Sequence, residues 1–185
     1  MSVYAVLIFF IFGTPYVMYP EVYLLIIQTS ILTIFLPISF YYLLLSLKKV
    51  DTIMVADVNQ RKTPLVIHAV LLWILIKKSI NIDFYPELYY FFLGSLVSTM
   101  TAFLLIYFNI KASLHMIGIT GLTLFVIGLS IHFQIRSVYL VAFLLLCNGL
   151  IASSRLAMKA HTNKELVIGG LVGLLPQIAF LHNWI

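Results

Sequence analysis

The sequence predicts an all-α, polytopic integral membrane protein: one helical bundle of six or seven transmembrane helices in a single domain covering residues 1–185. Three observations predict it. Apolar residues make up 63% of the chain, and only 11 basic and 6 acidic side chains interrupt them, where a soluble domain would be about a quarter charged. Uncharged runs such as Val22–Leu47 are too long to hide inside one small globule. Breaking the chain at its charges leaves seven apolar segments, and in hydrocarbon each must be helical because unpaired backbone groups are too costly there. A soluble fold is excluded, and the length leaves no room for a separate soluble domain.

The segments run 3–19, 22–47, 64–82, 88–110, 116–131, 137–154 and 166–181. The first is short, with Pro15 and Pro20 at its end, so a half-helix or an interfacial helix competes with a full span. No basic residue precedes it and the first charge is Glu21, which predicts a retained membrane segment rather than a cleaved signal peptide. Pro37 and Pro176 mark expected kinks in the second and last segments. Lys77 and Lys78, near the end of the third, have stems long enough to snorkel to headgroups. Cys147 lies alone in an apolar run, so neither an intrachain disulfide nor a cysteine metal cluster is available.

Three polar clusters separate the segments. The first, Lys48-Lys49 to Pro64, holds Asp51, Asp57, Asn59, Gln60, Arg61 and Lys62. The second is Asn109, Lys111, Ser113 and His115; the third is Ser153-Ser154-Arg155, Lys159 and His161 to Glu165. Two spans lie between each cluster and the next, and two crossings return the chain to its starting side. All three clusters therefore meet on one membrane face. That face carries eight basic residues against Lys77, Lys78 and Arg136 on the other, which reads as cytoplasmic if the charges are topological. Setting aside Arg61, Lys62, Lys111 and Arg155 as ligand-binding leaves four against three, so sidedness stays open.

Basic residues converging with two histidines and a serine describe a site for an anion, most simply a phosphate. Lipid-headgroup anchoring is the ordinary reading of Lys48, Lys49, Lys159 and Lys164 at span ends. Arg155, beside an apolar run and near His161, fits that reading poorly. His115 and His161 open segments on the cluster face, and imidazole suits proton transfer or nucleophilic attack near neutral pH. His161 and Glu165 are four apart, so on a helix they would share a face and the carboxylate would orient the ring. His132 and His182 fall on the opposite face as interfacial residues; His68, inside a span, is divided between packing and support of the site.

The third cluster has a specific spacing: Ser154-Arg155, five residues, His161, three residues, Glu165, then Gly169 and Gly173. It resembles the third signature of the type 2 phosphatidic acid phosphatase superfamily, Ser-Arg-x5-His-x3-Asp with glycines eight and twelve residues after the histidine. Glu165 stands where the family has Asp. The second signature, Pro-Ser-Gly-His, is present as Ala112-Ser113-Leu114-His115, keeping Ser and His. The first, Lys-x6-Arg-Pro, survives as Arg61-Lys62-Thr63-Pro64, out of step and with Met54 at the lysine position. The resemblance covers about residues 57–173 and is to divergent bacterial members, which implies a bacterial inner-membrane protein.

What the resemblance implies is a membrane lipid phosphatase that needs no metal or other cofactor. His161 would be the nucleophile and form a phosphohistidine, Glu165 would hold its ring, and His115 would act as acid and then base. Arg155, Arg61 and Ser113 would bind the phosphoryl oxygens, with Lys62 or Lys111 replacing the missing lysine. The substrate would be a membrane lipid, such as undecaprenyl pyrophosphate, phosphatidic acid, phosphatidylglycerol phosphate or a lipid A phosphate. The competing reading is a catalytically decayed relative that binds or carries lipid phosphates. A metal enzyme using His115, His161 and Glu165 is a further alternative. A prenyltransferase lacks its clustered acids, and a net charge of +5 on a membrane chain reads as binding to the lipid bilayer or to phosphate, with no nucleic acid partner.

Overall fold

The computed structural model describes residues 1–13, 19–48 and 59–185. They fold as helices, with no strand among the described residues. Helix α1 is Ser2–Gly13; α2, Tyr19–Ser30, continues through a π-helical turn, Ile31–Phe35, into α3, Leu36–Ser46. A 3₁₀ turn, Asn59–Arg61, leads into α4, Lys62–Lys78, followed by α5, Pro86–Tyr107, α6, Leu114–His132, α7, Val138–Ala157, and α8, Asn163–Leu181. Five stretches are long and apolar enough to cross a membrane: Pro20–Ser46, α5, α6, α7 and α8. The chain is thus a helical bundle of the integral membrane kind. The calls on Pro15, Lys49, Asp51, Met54 and Asp57 fall outside the described residues.

All seven expected segments contain helix, but two fall short of the length of the five. The α4 helix has 17 residues. The α1 helix has 12, about 18 Å against a hydrocarbon core of about 30 Å. It is not interfacial either. Ala5 and Val6 are fully buried, Phe9 is 2% exposed, and α1 packs on α2, α5 and α6 as a half-helix tucked into the bundle. At the other extreme, α7 buries only Leu144 and turns Tyr139, Phe143, Leu146 and Leu150 outward as a lipid-facing wall.

The two prolines act differently. Pro37 lies just past the π-helical turn, where the Leu36 N–H reaches back to the Ile31 carbonyl. The extra residue in that turn accommodates a ring that cannot donate to the carbonyl four residues earlier. Pro176 leaves α8 continuous. The carbonyl it deprives of a partner, that of Val172, accepts instead from the Ser98 hydroxyl of α5 at 2.8 Å. We expect Ser98→Ala to lower stability by about 1–2 kcal/mol in detergent unfolding, since it orphans a buried carbonyl. Thr101→Ala, which removes only a bond back to Val97 within α5, is the matched control with a smaller effect.

Lipid tails are as apolar as leucine, so close approach and interhelical hydrogen bonds hold such bundles together. Helix α6 lies at the centre, against α1, α5, α7 and α8. Along α8, Gly169, Gly173 and Gln177 recur every four residues on one face. A side chain at Gly169 would meet the Ser113 backbone, one at Gly173 would meet Ile117, and Gln177 Nε2 donates to the Phe91 carbonyl at 2.9 Å. Gly169 and Gly173 therefore have a packing role, bringing α8 against α6 and the residue that precedes it.

At the end of the bundle away from the polar clusters, the Phe91 and Phe125 rings pack tilted against each other with centroids 4.5 Å apart, and Trp184 packs against Phe125. His132, expected as a plain interfacial residue, lies 3.3 Å from the buried Glu87 carboxylate. That pair ties the start of α5 to the end of α6, and an acid in the first turn of α5 is favourable for that helix's dipole. His182 is exposed, as an interfacial side chain should be.

Candidate active site

Two identical turns deliver side chains to the polar end. After α5 the chain turns at Asn109 (φ 56°), with the Ile110 N–H on the Leu105 carbonyl and the Asn109 N–H on that of Ile106. After α7 it turns at Lys159 (φ 52°), where the Ala160 and Lys159 N–H groups reach the Arg155 and Leu156 carbonyls. Both are left-handed helix stops that satisfy the last carbonyls. The first presents Lys111 and the second presents His161. Lys111 Nζ donates to the Ala160 carbonyl at 3.0 Å and ties the two turns together.

His161 and Glu165 do meet, but not by sharing a helical face. His161 lies one residue before Thr162, the N-cap of α8, and Glu165 is the third residue of that helix. The Glu165 N–H donates to the Thr162 hydroxyl and the Thr162 N–H donates to Glu165 Oε2, a reciprocal capping box. The same Oε2 lies 2.8 Å from His161 Nδ1. A glutamate has the reach to fold back on the N-cap, which gives a physical reason for Glu165 here. A carboxylate can only accept, so Nδ1 carries the proton and Nε2 keeps its lone pair.

The His161 side chain is 6% exposed. Burial, with Arg61 and Lys111 nearby, holds its pKa below the ordinary imidazole value, while the Glu165 hydrogen bond opposes that shift. The ring is therefore neutral near pH 7. Burial first, then Arg61, also lowers the pKa of Lys111, and Glu165 opposes it.

One cavity of about 1080 Å³ collects Arg61, Lys111, His115, Arg155 and His161 on its walls. Residues from all three clusters thus line one cavity, Arg61 from the first, Lys111 and His115 from the second and Arg155 and His161 from the third. His115 occupies the first turn of α6 and Arg155 the last turn of α7. The Arg155 Nε–H is buried without a hydrogen-bond partner among the described residues.

Two expected ligands are placed otherwise. Lys62 Nζ lies 5.0 Å from the centre of the Tyr107 ring, a cation–π contact, and Lys62 is not on the cavity wall. Ser113 is fully buried and also off the wall. Its N–H donates to the Glu165 carbonyl at 3.2 Å, α8 presses on it at Gly169, and its hydroxyl has no partner among the described residues. His115, His161 and Glu165 do not form a metal-ligand group; no three His, Cys, Asp or Glu side chains do among the described residues.

The cavity continues inward past His68, Ser95, Thr99 and Gln177. Of these, only His68 stands out in the sequence. The signal for the others was a polar face on a predicted span, Ser95 and Thr99 four apart, with a lone amide late in the last one. On its α3 side the wall is one side chain thick, since Ile38 and Tyr42 line the cavity and are half or more exposed. No family model, curated protein or solved structure matches the chain.

Proposed function

We propose that the chain is a metal-independent membrane lipid phosphatase of the type 2 phosphatidic acid phosphatase kind, with α4 as a sixth crossing and its site at the end where the clusters meet. The observation that carries this reading is His161, held through Nδ1 by Glu165 and lining a cavity whose wall also carries Arg61, Arg155, Lys111 and His115. Phosphoryl transfer depends chiefly on positioning and fixed positive charge, and this set supplies both.

In this reading Arg61, Arg155 and Lys111 hold the phosphoryl oxygens. His161 Nε2 attacks phosphorus, the P–O bond to the lipid breaks, and His115 gives its proton to the departing oxygen. His115 then takes a proton from water as that water attacks. The P–N bond breaks, inorganic phosphate leaves and the Nε2 lone pair is restored. The thin α3 wall suits a substrate whose head reaches the polar end while its tails stay in the bilayer. The test is phosphate release by purified protein from lipid phosphates and pyrophosphates with EDTA present. Release that survives EDTA is expected, and release abolished by it would sink the metal-free mechanism.

A binder with a decayed site is the second reading. The seclusion of the Ser113 hydroxyl from the cavity favours it, and saturable lipid-phosphate binding without any release would establish it.

A further inference from the structure

The connection between α5 and α6 grips the segment that enters α8 at two points, one on each side of His161. On the α8 side the Ser113 N–H donates to the Glu165 carbonyl at 3.2 Å. On the α7 side Lys111 Nζ donates to the Ala160 carbonyl at 3.0 Å. The Ser113 contact is main chain and does not depend on side-chain identity. Lys111 is the side-chain half of the clamp, and removing it opens the Ala160 end while the Glu165 end stays closed.

The Ala160 carbonyl and the His161 nitrogen share one rigid peptide plane. On the other side of that residue, the Ala160 N–H is held by the Arg155 carbonyl at 3.1 Å. A hydrogen bond to the Ala160 carbonyl therefore sets the direction in which the chain enters His161. The Glu165 contact at Nδ1 does not aim Nε2 by itself, because a ring tethered at one atom still swings about that hydrogen bond. Holding the backbone as well removes the swing. Resting on the phosphatase reading for the reaction of His161, we infer that Lys111 is a positioning residue for His161, acting through the Ala160 carbonyl. The role goes beyond a grip on phosphate and is compatible with it. An ammonium group has three donors, so the one spent on Ala160 leaves two for phosphoryl oxygens.

The test reads the ring before any substrate is present. An imidazole Nδ1–H held by a carboxylate gives a downfield proton resonance, which its loss in His161→Ala would assign. In the full chain in detergent, free of phosphate and lipid phosphate, Lys111→Met should shift or broaden that resonance. Loss of a phosphate ligand alone would leave it in place. Phosphate release should fall on the order of a hundredfold, the scale of a small misplacement of a reacting group. A second series separates donor from charge and keeps one folded protein throughout: Lys111→Cys in a Cys147→Ser background, alkylated in two ways. An aminoethyl group restores both the N–H donors and the charge, and should recover the resonance and the turnover. A trimethylammonioethyl group restores the charge alone, and should recover neither. An unmoved resonance in Lys111→Met, or its recovery with the trimethylammonioethyl group, overturns the inference. The expected resonance changes in a protein that releases no phosphate would keep this inference and sink the phosphatase reading. Release by the parent with an unmoved resonance in Lys111→Met would do the reverse.

Discussion

His161→Ala is expected to reduce lipid phosphate release by at least a factor of about 10³, the scale on which enzymes lose rate when their nucleophile is removed. Rapid quenching of the parent with radiolabelled substrate should leave acid-labile, base-stable label on the protein, as a phosphoramidate requires. The alanine variant should carry none. Label that persists in His161→Ala, or turnover within a few fold of the parent, would remove His161 from the reaction.

The pH dependence follows from the same ring. In the proposed mechanism nucleophilic attack needs Nε2 unprotonated, so activity should be present above the His161 pKa and lost as pH falls through it. Burial, aided by Arg61 and Lys111, holds that pKa below the ordinary imidazole value of 6.5. The acid limb of the rate profile should therefore lie below that value. Glu165 raises the pKa through its hydrogen bond, so Glu165→Gln should move the acid limb further down while reducing kcat. Glutamine can still serve the capping box, so the shift would report lost charge rather than a lost helix start. An unmoved limb would mean that another group sets it.

The helices were legible in the sequence because charges are so rare here that each marks a boundary. The predicted 88–110, 116–131 and 166–181 became Pro86–Tyr107, Leu114–His132 and Asn163–Leu181. Counting crossings put Arg61, Lys111, His115, Arg155 and His161 on one membrane face, and they do line one cavity. The count itself relied on α4 as a crossing, and α4, with 17 residues, is not among the five stretches long enough to span. Local chemistry decided the rest. His161 precedes a helix rather than lying on one, because Thr162 is a better N-cap than a helical residue. Lys62, one position beyond Arg61, points to Tyr107 instead of the cavity, a choice that depends on how α4 rotates against α5. The half-helix α1 was ambiguous because an apolar run has no periodicity to say whether lipid or protein covers it.

Gly173→Leu is the substitution expected to damage the fold and the site together. A Cβ there would lie 2.3 Å from the Ile117 carbonyl, 2.4 Å from Thr120 Oγ1 and 2.8 Å from the Ile117 Cα. Two of those atoms are backbone in the first turn of α6, so α8 must move rather than a side chain. Overpacking of this kind costs about 1–3 kcal/mol, which for a chain of this size lowers the detergent Tm by roughly 3–10 °C. Glu165 and Gly169 lie on the same face of α8, and the Glu165 carbonyl accepts from the Ser113 N–H. A shift of α8 from α6 therefore breaks that link and displaces the carboxylate that holds His161. Activity should fall even below the melting temperature. Gly149→Leu is the control, because a Cβ at Gly149 meets nothing within 4 Å on the lipid face of α7. Equal losses in the two variants would mean that added bulk in any membrane helix suffices. Loss in Gly173→Leu alone would tie His161 to the glycine contact, which lies two helical turns from Glu165 along α8.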